Sequence, residues 1–235
     1  MSKLDEKQII NIFANKLGIG CLDDVAVLRK NIAIKTDMLV ASTDVPPGMK
    51  SWQIARKSVV SCVSDLAAKG VKPYAGVISL GLPNISSMRR PDIEGLAEGF
   101  VIASREFGVK IVGGDTNEAG DLVIDCTIIG FTRFKVPTRS GARPGDYVVV
   151  SGSFGFAPAG LYMLLQKHTA VTINEDTEDV DKSINNHCND DNNNNILGSG
   201  DGDNNNDNQN NTFKKQAMKS VLEPCPRQRF GLVLA

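Results

Sequence analysis

One stretch decides how much of this 235-residue chain can pack into a core. From about residue 174 to 212 the sequence turns polar. DKSINNHCNDDNNNNILGSGDGDNNNDNQNN is nearly free of aromatic residues and is dominated by Asn, Asp and Gly. Such a segment buries too little apolar area to offset the entropy of ordering it, so it is expected to be disordered. About 195–200 residues then remain to fold. They divide into a long first part and a short remainder, KKQAMKSVLEPCPRQRFGLVLA, that opens like a helix.

Composition narrows the classes of function. Lys and Arg number 26 against 27 Asp and Glu, a formal net charge of −1. No basic footprint points to nucleic acid. No run of about 18 apolar residues predicts a transmembrane helix. MSKLDEKQII lacks the basic-then-apolar layout of a secretory signal, so a cytoplasmic location is expected. The five cysteines, Cys21, Cys62, Cys126, Cys188 and Cys225, form no CxxC pair and read as free thiols of a reducing compartment. His168 and His187 are the only histidines, a poor supply for a zinc site or a Ser/His/Asp triad.

The first part alternates helical and strand patterns. LDEKQIINIFANKL spaces Leu4, Ile9, Ile10, Ile12, Phe13 and Leu17 on or near one helical face, with Gly18 as the C-terminal cap. AVLRK and NIAIKTDMLV read as two strands turning near Lys30–Asn31. A long helix is predicted from a Ser51 cap to Gly70, and a second from Pro91 to Gly108. PYAGVISLGL reads as a buried strand. VKIVGG reads as a short strand running into a Gly-Gly-Asp loop. DLVIDCTIIGFTRF and YVVVSG read as further strands, and FAPAGLYMLLQK begins a helix. Interleaving of this kind predicts a mixed α/β (α+β) fold.

The chemical signal is a series of aspartates at element ends. Asp23 and Asp24 precede the strand AVL, Asp37 follows Thr36, Asp65 follows Ser64 in the long helix, and Asp115 follows Gly113-Gly114. Any one of them also suits a turn or a helix cap. If several converge, two charges about 4 Å apart repel by roughly 4 kcal/mol at an effective dielectric near 20. A hard divalent cation removes that cost. Oxygen ligands favour magnesium or calcium, and magnesium shares its shell with phosphate oxygens and water. The two glycines let backbone approach a bulky ligand, or simply form a tight turn. Arg139 suits bidentate phosphate contact, or a solvated turn. The P-loop and the protein-kinase motifs are absent, so a nucleotide would be held on another scaffold.

In order, GIGCLDDVAVL, IKTDMLVASTDVPPGM, KSVVSCVSDLAAKGVKPYAGVISLGLP, VKIVGGDTNEAGDLVIDCTIIG and TRSGARPGDYVVVSG resemble the thiamine-monophosphate kinase family. That family sits within the superfamily of aminoimidazole-ribonucleotide synthetase, selenophosphate synthetase and the HypE-type hydrogenase-maturation protein. The resemblance runs from about residue 18 to 165 and resumes at SVLEPCPRQRFGLVLA. STDVPPGM and SDLAAKG look closest to archaeal members. It implies a PurM-like architecture of two domains, placed here at 1–137 (ATP and magnesium binding, dimerisation) and 138–235 (partial, interrupted by the insert). The first domain would pair with its twin in a homodimer, joining two sheets into a barrel. The reaction implied is transfer of the ATP γ-phosphoryl group to thiamine monophosphate, giving thiamine diphosphate. Such transfer rests on positioning and charge stabilisation rather than on a protein nucleophile.

Residue by residue, the resemblance implies a magnesium set of Asp24, Thr36, Asp37, Asp65 and Asp115. It implies ATP contacts from Gly114, Asp115 and Arg139. Asp44 falls where bacterial members carry a substrate-touching histidine, and could face the cationic thiazolium. Lys35 stands where many relatives have Ser. The chain stops before the family's DxSDGL motif, which reads as a truncation and leaves catalysis by this polypeptide in doubt. Two other readings stay open: another ATP-dependent synthetase of the superfamily, and a partial nucleotide-binding or dimerisation module.

Overall fold

A computed structural model of the chain describes residues 3–20, 22–150, 152–171 and 204–226. The body is a five-stranded sheet with two long helices on one side. Helix α1, Glu6–Leu17, is capped at both ends. Asp5 and Gln8 form a reciprocal capping box, and Gly18 takes the left-handed conformation at φ 68°. Of its residues only Ala14 is buried, and the predicted apolar face lies exposed.

Strands β1 (Ala26–Arg29) and β2 (Ile32–Val40) form the expected hairpin. A four-residue helix α2, Ala41–Asp44, leads to α3, Ser51–Ala68. Lys50, rather than the expected Ser51, is its N-cap residue. Strand β3, Lys72–Pro83, α4, Arg90–Phe107, and β4, Lys110–Ala119, form a parallel β-α-β unit. Strand β5, Val123–Phe131, then returns antiparallel between β2 and β3, so the sheet order is β1-β2-β5-β3-β4.

Helix α3 forms the centre of the core. Ala55, Val59, Cys62, Val63 and Leu66 are fully buried against Ile124, Cys126 and Ile128 of β5. Each aliphatic side chain of this size contributes about 1.5–3 kcal/mol on burial. Helix α4 packs closely on α3 because Gly99 carries no side chain: a Cβ there would stand 2.1 Å from the Trp52 carbonyl oxygen. Cys62 Sγ donates to the Cys126 carbonyl oxygen at 2.9 Å, and hydrogen bonding with the Cys126 side chain, with burial behind it, pushes the Cys62 thiol far up. Cys62, Cys126 and Cys225 are free thiols; Cys21 and Cys188, like His187, lie outside the described residues.

Several sequence expectations are corrected. β3 is not a buried strand: Ile78 and Leu82 face the core while Tyr74 and Val77 are exposed, because helices cover only one side of the sheet. Gly113, Gly114 and Asp115 form no loop, since pairing with β3 carries β4 on to Ala119. YVVVSG forms no strand among the described residues: Tyr147 to Val150 pair with nothing and are exposed. The polar tract expected to be disordered ends early, because α6, Asn204–Leu222, includes residues 204–212. α6 lies on α5, Phe156–Val171, with Phe213 against Phe156 and Gly160 against the Ala217 backbone. Residues 174–203 lie outside the described part.

The segment after α6 returns to the first part of the chain. Gln53 Nε2 donates to Glu223 Oε1 at 3.2 Å, and Arg56 Nη1 donates to the Pro224 carbonyl oxygen at 2.8 Å. Arg56 is buried and also makes a bidentate pair with Glu106 of α4, at 2.7 and 2.8 Å.

Candidate functional site

The side of the sheet covered by helices is not uniformly apolar. Lys35 and Asp37 alternate with Thr36 along β2, so both point towards α3. Lys35 Nζ lies 2.6 Å from Asp65 Oδ2 and 3.4 Å from Asp37 Oδ2. Burial works against the Lys35 ammonium. The hydrogen bond and charge of Asp65, with Asp37 behind them, outweigh it and hold the pKa above the ordinary lysine value.

A second cluster stands at the C-terminal end of α3. Lys69 Nζ reaches Asp23 Oδ1 at 2.6 Å, Asp24 Oδ2 at 3.4 Å and the Pro137 carbonyl oxygen at 3.1 Å. The Lys69 hydrogen bond, opposed by burial and helped by the N–H groups of Asp24 and Arg139, holds Asp23 below the usual carboxylate range. The Arg139 side chain, 74% exposed, brings Nε to 3.3 Å from Asp24 Oδ1. Asp24 and Arg139, far apart in sequence, are thus brought together.

The remaining candidates lie on the open side of the sheet. Thr36 Oγ1 donates to Asp125 Oδ1 at 2.9 Å and lies 2.9 Å from Thr127 Oγ1. Asp115 stands in the row Asp115–Ser79–Asp125–Met38 that crosses the sheet. Three strand spacings separate its two ends, about 14 Å. The five expected magnesium ligands are therefore split. Asp24, Asp37 and Asp65 face the helices, while Thr36 and Asp115 belong to the other side. Neighbouring residues of a strand point oppositely, so the hydroxyl of Thr36 and the carboxylate of Asp37 do not meet.

All-oxygen donors suit a hard divalent ion, but their arrangement does not fit one. Among the described residues no three His, Cys, Asp or Glu side chains are placed to share a metal. Part of the charge that such an ion would neutralise is met by Lys35, between Asp37 and Asp65, and by Lys69, between Asp23 and Asp24.

Gly114 owes its place to sheet geometry: a Cβ would lie 1.8 Å from the Ile78 carbonyl oxygen, whereas one on Gly113 meets nothing within 4 Å. Asp44 stands at a cleft of about 390 Å³ lined also by Asp37, Leu39, Thr43, Lys57 and Ser61. Its carboxylate accepts from the Val40 N–H at 2.7 Å, and its carbonyl oxygen accepts from Lys57 Nζ. Burial pulls the Lys57 pKa down, with the charge of Asp44 opposing. Sequence reading missed Lys57, Ser61 and Lys69. Their signal is present, because with Asp65 they recur every four residues as a polar stripe on an otherwise apolar helix.

The described body is thus a mixed sheet with two long helices on one side and Asp–Lys pairs beneath them. Residues 22–132 match the family described as AIR synthase related protein, N-terminal domain. The chain is similar to thiamine-monophosphate kinase, as its motifs implied. It is 49% identical over 169 residues to the thiamine-monophosphate kinase of Nitrosopumilus maritimus (strain SCM1), covering 71% of this chain and 54% of that one. Against the enzyme of the same name from Pyrococcus horikoshii it is 38% identical over 170 residues, with the same coverage. The chain spans about half the length of the curated relatives it matches. The fold agrees. A structure titled AaThiL complexed with AMPPCP and TMP superposes with a TM-score of 0.76 at 22% identity, covering 100% of this chain and 64% of that one. A HypE–HypF complex gives 0.57 at 26% identity, covering 72% and 55%.

Proposed function

We propose that this chain carries the nucleotide-handling part of an ATP-dependent kinase that converts thiamine monophosphate to thiamine diphosphate. The observation that supports it most is the 49% identity to a relative of that name, in a chain whose motif aspartates and cleft adjoin one helix. Arg139 supplies N–H donors to ATP phosphate. Gly114 and Asp115 take the ATP side, and Asp44 faces the thiazolium. Lys57 and Ser61 offer donors to the acceptor phosphate. No side chain is needed as a nucleophile, because positioning and charge stabilisation dominate phosphoryl transfer.

The chain divides near residue 137, where Lys69 ties the Pro137 carbonyl to the Asp23–Asp24 segment. It acts as a homodimer in the cytoplasm, and among the described residues no helix is long and apolar enough to cross a membrane. The open side of the sheet supports pairing: Met38, Tyr74, Val77 and Phe131 are exposed there, more apolar surface than a strand face in water ordinarily shows. Joined in a barrel, two such faces would cover it.

Incubation with ATP, magnesium and thiamine monophosphate is expected to release thiamine diphosphate, read by chromatography. The reading falls if none forms even when the chain is extended with the C-terminal part of the Nitrosopumilus relative. Coverage of about half of each relative favours one second reading, a nucleotide-binding module inactive alone. Calorimetric titration with ATP separates the two, since the module binds without turnover.

A further inference from the structure

The carboxylates of Asp37 and Asp65 approach from different elements, one from β2 and one from α3. Between them lies the ammonium of Lys35, 2.6 Å from Asp65 Oδ2 and 3.4 Å from Asp37 Oδ2. Its side chain is 16% exposed, whereas the two carboxylates are 35% and 34% exposed. We propose that Lys35 is a tethered counter-cation which holds Asp37 and Asp65 together and keeps a divalent metal ion off that pair.

Three features carry this. First, Lys35 and Asp37 are two residues apart on β2 and share its α3-facing side, so the position of the ammonium follows from the strand rather than from a free surface rotamer. Second, a magnesium ion requires its oxygens at 2.0–2.1 Å in a near-octahedral shell. An ion bound to both carboxylates would occupy the space the ammonium holds. Third, with Lys35 present the pair retains a single negative charge, a weak attraction for a dication that gives up water reluctantly. The same device recurs one turn further along, at the C-cap of α3, where Lys69 lies between Asp23 and Asp24. Lys35 thus acts as a positioning residue. It deepens the kinase reading, on which its metabolic meaning rests, by making the protein itself the counter-charge at this pair.

The test is a manganese titration of the full chain without nucleotide, free Mn²⁺ being read by electron paramagnetic resonance. Wild-type protein and Asp37→Asn are expected to bind the same number of ions with the same affinity. Lys35→Ser is expected to gain one ion per chain, at least tenfold tighter than any wild-type site, and to lose it again on addition of Asp37→Asn. Millimolar Mg²⁺ should raise the melting temperature of Lys35→Ser and leave that of wild type unchanged, while Lys35→Arg should match wild type in both. An ion lost from the wild-type count in Asp37→Asn overturns the proposal, as does a folded Lys35→Ser that gains none. If Lys35→Ser does not fold, the comparison of wild type with Asp37→Asn still decides. No substrate is present, so failure here is distinct from failure to make thiamine diphosphate.

Discussion

The middle of strand β2 departs from the usual distribution of polarity, between the buried Ala33 and Leu39 on the side of the helices and around Thr36 on the open side. Towards the helices, where a sheet normally buries aliphatic side chains, stand Lys35 and Asp37. Towards the open side, where polar residues are the rule, stand Ile34 and the 61% exposed Met38. Charge on a covered side requires paired partners, which α3 supplies in Asp65. Apolar surface on an open side calls for a covering partner. The two sides of one strand therefore differ in role. One holds charged groups at fixed distances, and the other offers a surface for association.

The comparison breaks most visibly at the covered side. Lys69, 6% exposed, is the counter-charge for Asp23 and Asp24. Lys69→Met takes the counter-charge from Asp23 and leaves Asp24 with Arg139 alone, and is expected to cost about 2–3 kcal/mol in urea unfolding, because losing one partner of a buried pair strands the other. A loss below about 0.5 kcal/mol would mean the charges there are effectively solvated.

Next in size is the pair of glycines in β4. Gly114→Ala places a methyl on the Ile78 carbonyl and is expected to cost about 1–3 kcal/mol. Gly113→Ala meets open space and should stay within about 0.5 kcal/mol. Equal effects would show that the β3–β4 register differs from the one described.

On the open side, Met38→Asp and Val77→Asp should each change the unfolding free energy of the isolated chain by about 0.5 kcal/mol or less. Sedimentation velocity should nonetheless shift both towards monomer. Unchanged association would remove this side from the interface.

The smallest effect is expected from Asp121, whose carboxylate accepts from the Ser42 N–H at 2.9 Å and the Leu122 N–H at 2.7 Å. Its pKa is lowered, chiefly by hydrogen bonding to Ser42. A depressed carboxylate contributes stability that is present above its unfolded value, near pH 3.9, and lost as pH falls through the folded value. Asp121→Asn should therefore flatten the acid limb of the stability profile slightly, and carbon-detected carboxyl titration should place Asp121 below an ordinary aspartate.

Much of the fold was legible locally. The Asp5–Gln8 box, Gly18, Pro91 and Gly108 mark helix ends through backbone chemistry that needs no distant partner. The β1–β2 hairpin follows from two short strand patterns and a turn. Less legible were elements whose state depends on a neighbour. YVVVSG has the composition of a strand but lacks a partner among the described residues. Asn-rich residues 204–212 lie in α6, whose Phe213 and Ala217 pack on α5, a contact that no local pattern announces. Within the site, motif order singled out Asp24, Asp37, Asp65, Asp115 and Arg139, yet did not reveal that Asp115 sits across the sheet from Asp37.

By itself, the sequence determined which chemical groups are available and where helices begin and end, because capping and periodicity act within a few residues of the chain. It also carried the resemblance to one kinase family, through five motifs in order. Tertiary structure alone decided which groups meet. Thr36 and Asp37 are adjacent in sequence but separated by the thickness of the sheet, whereas Lys35 and Asp65 are thirty residues apart and lie within hydrogen-bonding distance. Contact between charges depends on the register of β2 and its packing against α3, both set by long-range burial that no local pattern encodes.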